Sequence, residues 1–213
     1  MQTDQLIEQL ATRLEPIGRL RSPVERALLW LAPVGLISTA LILRYAQLGT
    51  ALQRLAAPQV AFEFGAAALT AIAAIIAAFE LSLPDRSPRW AWLALPPFLL
   101  WMGASGLGCL RNGVSLRGPD GMVGHSGHCF VFIVAASVPL SVFLFGMLRQ
   151  ARPLNPLPVA AMGTLGVAAS AACVLEFFHP FDVTVIDLAL HLAAVAAVIL
   201  IGAALRRPLL ASR

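Results

Sequence analysis

The chain has 213 residues, of which 59% are hydrophobic and 12% charged, and its formal net charge is +4. All of the positive charge comes from arginine, because the chain contains no lysine. A water-soluble domain of this length exposes far more charge, so the composition excludes an ordinary soluble protein and indicates that lipid is much of the surrounding solvent.

Residues 1–26 are mostly polar and precede the first apolar run. Within them, four apolar residues recur at the spacing of one helical face: Leu6, Ile7, Leu10 and Leu14. Up to Glu15 the segment has three acids and one arginine, the reverse of the basic face that anionic lipid attracts. We therefore predict a short amphipathic helix that places its apolar face in a groove of a protein partner, with attachment to the lipid surface as the alternative.

Six long apolar runs follow, each close to the roughly 20 residues that a helix needs to cross about 30 Å of hydrocarbon. They are Ala27–Leu43, Val60–Leu81, Trp90–Leu110, Gly127–Leu148, Leu157–Phe177 and Thr184–Leu205. Backbone polar groups cannot be left unpaired in lipid, so the runs predict helices. Pro96 and Pro97 predict a kink near the middle of the third run. The predicted fold is all-α, an integral membrane six-helix bundle over residues 27–205.

The arginines predict which way the bundle crosses the membrane. If residues 1–26 are cytoplasmic, eleven of the fifteen arginines lie in cytoplasmic segments and four lie in outer loops. This bias follows the positive-inside rule, and it places the N-terminus and the C-terminal tail 206–213 in the cytoplasm. The basic charge therefore reflects topology, and direct binding to nucleic acid is not needed to explain it.

This topology gathers the reactive residues at the outer side of the membrane. The group contains all three cysteines, all four histidines and most intramembrane acids: Glu63, Cys109, His125, His128, Cys129, Cys173, Glu176, His179, Asp182, Asp187 and His191. Ionisable residues inside a membrane are expensive and usually face a partner within the bundle. Asp187 and His191, one helical turn apart, either pair and hold the last helix in register or take part in signalling.

The stretch "GHSGHCF" carries His125, His128 and Cys129, and two chemistries are open to it. Cys109 and Cys129 close a loop of about 20 residues, and a disulfide there contributes about 3 kcal/mol in the chain-entropy model. Alternatively, the two histidines and the Cys129 thiolate hold a soft or borderline metal ion at the outer side. A haem is disfavoured, because only His191 lies clearly within the bilayer and a second axial ligand at a matching depth is missing.

Six stretches, in this order and spacing, resemble the NrsF-type anti-sigma factors, bacterial six-span inner-membrane proteins that negatively regulate an ECF sigma factor. They are "TDQLIEQL", "AAFELSLPDRSPRW", "GCLRNG", "GHSGHCF", "HPFD" and "LALHLAAV". The resemblance covers essentially the whole chain and implies that the cytoplasmic N-terminal segment sequesters the sigma factor. It also implies that Cys109 and Cys129 sense metal or oxidative stress, with Cys173 as a further candidate.

The expected function is therefore that of a transmembrane regulator and not of an enzyme. The expected partners are the ECF sigma factor and the lipid bilayer, while the sequence makes no prediction about oligomeric state. One alternative is a small membrane transporter that uses Glu63, Asp187 and His191. Another is a rhomboid-like intramembrane serine protease, in which Ser105 of "GASG" is the nucleophile and His191 its base.

Overall fold

The computed structural model describes residues 3–12, 19–111, 126–178 and 185–210, and for residues 6, 9, 10, 108–111, 126–129 and 185–187 it describes the backbone alone. Within these ranges the chain forms helices and their connections and contains no β-strand, which confirms the all-α prediction. The helices are α1 (Thr3–Ala11), α2 (Pro23–Tyr45), α3 (Leu48–Leu55), α4 (Pro58–Leu81), α5 (Leu95–Arg111), α6 (Ser126–Leu148), α7 (Pro156–Leu175), α8 (Val185–Ala204) and α9 (Arg206–Leu210), with 3₁₀ segments at Pro88–Ala94 and Arg149–Ala151.

Five helical segments of the described chain are long and apolar enough to cross a membrane. They are Pro23–Tyr45, Pro58–Leu81, Pro88–Leu107, Phe130–Ala151 and Pro156–Leu175. These segments match the first five predicted runs and define a multi-pass membrane protein. The sixth predicted run forms α8, whose described apolar part, Leu188–Ala204, is shorter than the other five. A sixth crossing therefore stays a prediction.

A local signal fixes the start of the first long helix. The Ser22 hydroxyl accepts a hydrogen bond from the Glu25 N–H at 3.3 Å, and the Glu25 carboxylate accepts one from the Ser22 N–H at 3.2 Å. This reciprocal capping box, with Pro23 at the first helical position, satisfies backbone donors that a helix start leaves unpaired. As a result, α2 begins four residues before the predicted apolar run, which starts at Ala27.

The prolines of the third run lie where a 3₁₀ segment changes to an α-helix, near the middle of the segment Pro88–Leu107. The predicted kink at this point stays a prediction. The run begins with the 3₁₀ segment Pro88–Ala94, and α5 begins only at Leu95. Pro96 and Pro97 therefore occupy the first turn of α5. A backbone N–H there has no acceptor within the helix, so its loss to proline costs little.

The centre of the bundle is the contact between α4 and α7, the most extensive helix pair in the described chain. Small residues allow the two helices to approach closely. A Cβ atom added at Gly166 of α7 would lie 2.7 Å from the Ile75 side chain and 3.1 Å from the Ile75 backbone nitrogen. Around this pair, α2 and α5 pack on α4, while α6 and α8 pack on α7.

A buried arginine closes one end of the bundle. Arg26 of α2 is only 4% exposed, and its Nη2 donates a hydrogen bond to the Met147 carbonyl oxygen at 2.6 Å. Its Nη1 donates to the Ser82 hydroxyl at 3.4 Å, and the guanidinium lies 4.9 Å from the centre of the Phe79 ring. These contacts join the start of α2 to the ends of α4 and α6, and they offset the cost of burying the charge.

Replacing Gly166 with alanine tests the α4–α7 contact. Because Ile75 is fully buried and has no space to move away, we expect Gly166→Ala to lower the free energy of unfolding by about 1–3 kcal/mol. The matched control is Gly65→Ala, since a Cβ atom at Gly65 meets nothing within 4 Å and alanine favours a helix. Denaturant titration in mixed micelles, followed by circular dichroism, measures both. Equal stability of the two variants would contradict the packing described here.

Candidate functional site

A small cavity lies between four helices at the end of the bundle opposite Arg26. Its volume is about 60 Å³, room for about two water molecules. The polar residues that line it come from α4, α5, α8 and the end of α7: Glu63, Ser105, Cys173, Glu176 and His191. Apolar residues complete the wall, among them Phe64, Trp101 and Val195. The cavity thus places carboxylate, hydroxyl, thiol and imidazole groups together in a mostly apolar setting.

Glu63 reaches the cavity from the first part of α4. Gln59, one helical turn earlier, donates a hydrogen bond from its side-chain nitrogen to the Glu63 carboxylate at 3.1 Å. The Ser105 hydroxyl of α5 interacts with the same carboxylate. Because both partners are neutral, they stabilise the carboxylate without cancelling its charge.

The short helix α3 adds a cation beside the cavity. The Arg54 guanidinium lies 3.5 Å from the Glu176 carboxylate, and the two side chains are only 18% and 26% exposed. Glu176 lies one residue beyond α7, where burial raises the pKa of its carboxyl group. Arg54 opposes this rise, and the negative charge of Glu63 adds to it. The ion pair therefore joins α3 to the end of α7, at a position where burial disfavours the ionised form of the carboxyl group.

Two residues predicted for the outer side, Cys173 and His191, line the same cavity from neighbouring helices. Cys173 of α7 carries a free thiol, and His191 lies on α8. Glu63 stands more than a hundred positions before Cys173 and His191 in the sequence, and the structure brings the three residues together at one end. What each of them does there stays a prediction.

The remaining outer-side candidates are described only in part. Cys109 lies near the end of α5, His128 and Cys129 lie in the first turn of α6, and Asp187 lies in the first turn of α8, each by its backbone alone. His125, His179 and Asp182 lie outside the described residues. Among the side chains that the structure does describe, no three of histidine, cysteine, aspartate or glutamate are close enough to hold a metal ion.

The predicted partner-binding segment forms α1, from Thr3 to Ala11. Every side chain of α1 that the structure describes is exposed, and Ile7 is 59% exposed. Leu6 and Leu10 lie on the same helix, described by their backbone, while Leu14 lies outside the described residues. An apolar side chain is thus presented outside the bundle on a helix of its own.

Sequence reasoning missed three members of the site: Arg54, Gln59 and the helix α3 that carries Arg54. Two signals were present. Gln59 and Glu63 stand four residues apart, the spacing of a side-chain pair on one helical face. Leu48, Ala51 and Leu55 recur at three-to-four-residue spacing, which predicts a short amphipathic helix in the connection between the first two spans.

The fold is that of a multi-pass membrane protein, with an exposed helix ahead of the bundle and titratable residues gathered at one end. The chain belongs to the NrsF family, described as negative regulator of sigma F, whose family model matches residues 10–211. This match confirms the resemblance and makes a sigma factor the expected partner. It begins at residue 10, so most of α1 precedes it. No curated protein and no solved structure matches the chain.

The Glu176 carboxyl group predicts a specific dependence of stability on pH. Since its pKa is raised above the ordinary value of 4.5 in the folded protein, its contribution to stability is full below that value and is lost as the pH rises through the raised pKa. The neutral analogue Glu176→Gln removes this loss. We expect the unfolding midpoint of the variant to fall less than that of the parent between about pH 5 and about pH 7.5.

Arg54→Gln is the matched counterpart of that variant. Loss of the guanidinium leaves the ionised Glu176 carboxylate without its ion pair, so we expect stability at neutral pH to fall by about 1 kcal/mol, with little change at acidic pH. Combining Arg54→Gln with Glu176→Gln should cancel most of that loss. If the unfolding midpoints of the parent and of Glu176→Gln fell equally with rising pH, the carboxyl group would be shown to titrate normally.

Proposed function

We propose that the protein is a transmembrane anti-sigma factor that holds an ECF sigma factor at the bacterial inner membrane and releases it on an envelope stress signal. The observation that carries this proposal is the family match over residues 10–211. It is joined by the exposed helix α1, which supplies a surface for a protein partner. In this proposal the sigma factor binds α1 in the cytoplasm, and metal or oxidative stress acts at the outer cysteines.

An exposed apolar side chain on α1 and the acidic residues of this helix both favour α1 as the binding segment. Ile7 is exposed, so its side chain gains apolar burial when a partner covers it. Leu6, Leu10 and Leu14 share a helical face with it by their spacing, and a groove on the partner would cover that face. The acids Asp4 and Glu8 are exposed on the same helix, which disfavours attachment to anionic lipid.

The charge distribution supports a cytoplasmic position for this helix. The described arginines at the Arg26 end of the bundle are Arg19, Arg21, Arg26, Arg86, Arg89, Arg149, Arg152, Arg206 and Arg207. At the cavity end, the side chains of only Arg44 and Arg54 are described. An arginine-rich end favours the cytoplasm, and α1 precedes the bundle at that end. The cavity then faces the cell exterior.

In the sensor hypothesis, α5 connects Cys109 to the cavity inside the bundle. Cys109 stands four residues after Ser105 on α5, so a change at Cys109 acts one helical turn from the cavity. Oxidation of Cys109 and Cys129 by a hydroperoxide would form one S–S bond and reduce the O–O bond to water and an alcohol. Such a crosslink contributes about 3 kcal/mol, and a coupling of about 1–3 kcal/mol changes partner affinity roughly 5- to 150-fold.

Metal capture is the second form of the sensor hypothesis. His125 and His128 are separated by two residues, and Cys129 follows directly. Imidazole nitrogen and thiolate sulfur suit a soft or borderline ion such as Zn²⁺. Oxidation and metal binding make different demands on the chain, because only the disulfide requires Cys109 and only the metal requires the histidines.

A regulator explains the structure better than the two alternatives. At the end opposite the cavity, the acid Glu80 is ion-paired with Arg86 at 3.2 Å, and the part of α4 between Glu63 and Glu80 is packed with buried alanines, so a transport path has little support. The Ser105 hydroxyl interacts with the Glu63 carboxylate, whereas the protease alternative needs that hydroxyl to contact a histidine base.

The variant Ile7→Asp tests the binding role of α1. Burying a charge in an apolar groove is strongly unfavourable, so we expect the affinity for the purified sigma factor to fall at least about tenfold. Gln5→Asp is the matched control: Gln5 is exposed on the same helix, lies nearly opposite the apolar face by its spacing, and receives the same charge. Surface plasmon resonance in detergent measures both affinities. Equal affinities would remove α1 from the interface.

The cysteine variants test sensing separately from binding. We expect Cys109→Ser with Cys129→Ser to keep the affinity for the sigma factor and to lose induction of a sigma-dependent reporter by peroxide or metal. The variant His125→Ala with His128→Ala should lose only the metal response if a metal ion is the signal. Cys173→Ser tests the further sensing candidate separately, because its thiol lies in the cavity. Unchanged induction in the double cysteine variant would refute the sensor hypothesis.

A further inference from the structure

An open groove lies beside the 3₁₀ segment Pro88–Ala94, at the end of the bundle opposite the cavity. Its volume is about 550 Å³. An apolar wall is formed by Trp90, Trp92, Leu93 and Pro96, and the polar end is formed by Ser87 and Arg89. Trp92 is 67% exposed. Neither the cavity nor α1 includes these residues, so the proposed function makes no use of the groove.

The Arg89 guanidinium makes no hydrogen bond or ion pair with the described part of the chain. Its backbone N–H donates to the Ser87 hydroxyl oxygen at 3.3 Å, which orders the polar end of the groove. Arg86, three residues earlier, differs because Glu80 neutralises it at 3.2 Å. An arginine side chain carries five N–H donors and no acceptor. At Arg89 they are available to an anion.

The surroundings of the groove carry excess positive charge. The exposed arginines at this end are Arg19, Arg21, Arg86, Arg89, Arg149, Arg152 and Arg207, and the described acids are Glu25, Glu80 and Asp85 in the bundle and Asp4 and Glu8 on α1. Basic clusters next to a membrane span attract anionic lipid headgroups. A zwitterionic headgroup brings its own ammonium group, which the same field repels.

The groove also has the position and shape that a lipid needs. It flanks Pro88–Leu107, one of the candidate membrane spans, so a phospholipid reaches it without leaving the bilayer. Indole rings of tryptophan favour this headgroup level of a membrane. We propose that the groove binds one anionic phospholipid, with its phosphate on Arg89 and Ser87 and the upper part of an acyl chain on Trp92 and Leu93.

The test uses the full chain in neutral detergent, titrated with phosphatidylglycerol or with phosphatidylethanolamine of the same acyl chains and followed by native mass spectrometry. The parent protein binds phosphatidylglycerol more tightly than phosphatidylethanolamine. Arg89→Gln weakens it about fivefold, the effect of one arginine near an anionic headgroup. Arg149→Gln is the matched control, since Arg149 is exposed at the same end outside the groove, and it changes binding less than about twofold. Trp92→Ser weakens both lipids.

Arg89→Lys keeps the positive charge, so it retains most of the binding. It therefore distinguishes a loss of charge at residue 89 from a folding defect. Three outcomes would overturn the proposal. Equal losses for Arg89→Gln and Arg149→Gln indicate diffuse surface charge. Displacement by inorganic phosphate alone indicates an anion site without an acyl wall. Displacement by the purified sigma factor, with no preference between the two lipids, indicates a protein contact.

Discussion

The rest of the bundle depends on the close approach of α4 and α7. In lipid, apolar burial does not drive two helices together, so van der Waals packing of small residues has to supply the attraction. Gly166 allows this packing, because glycine has no side chain and Ile75 of α4 fills the space that a Cβ atom would need. The helices α5, α6 and α8 then pack around this pair. Their order around the pair brings Ser105, Cys173 and His191 to one cavity.

The two ends of the bundle treat buried charge in opposite ways. Arg26 receives a carbonyl oxygen, a hydroxyl and an aromatic face from two other helices, and this set of partners makes a buried cation a fixed element of the structure. At the other end, Glu63 and Glu176 face a cavity, and the Arg54 guanidinium interacts with both carboxylates. Carboxylates held in this way respond to protons or to a change in a neighbouring helix.

The sequence predicted the elements that depend on composition and missed those that depend on contacts. Apolar run length located the first five spans, because the thickness of the hydrocarbon sets that length. The first long helix α2 begins at the capping box at Ser22, four residues before the predicted run, and the third run contains a change from 3₁₀ to α-helix at Leu95 that the sequence did not predict. For the site, arginine bias predicted that Glu63, Cys173 and His191 share one end. The partners Arg54 and Ser105 come from other elements, and no local pattern reveals such a contact.

A route between the cavity and α1 has to pass through helices that reach both ends, and α4 and α7 do so. α4 carries Glu63 at the cavity and Phe79 beneath Arg26. α7 carries Cys173 at the cavity, and its first turns pack in the same core as Trp30 of α2. Because Gly166 and Ile75 leave no slack, a displacement of one helix at the cavity moves the other instead of being absorbed between them. The start of α2, which follows α1 in the chain, packs against the far end of this pair. In the proposed function, a signal at the cavity would therefore shift the start of α2 and, with it, the segment proposed to bind the sigma factor.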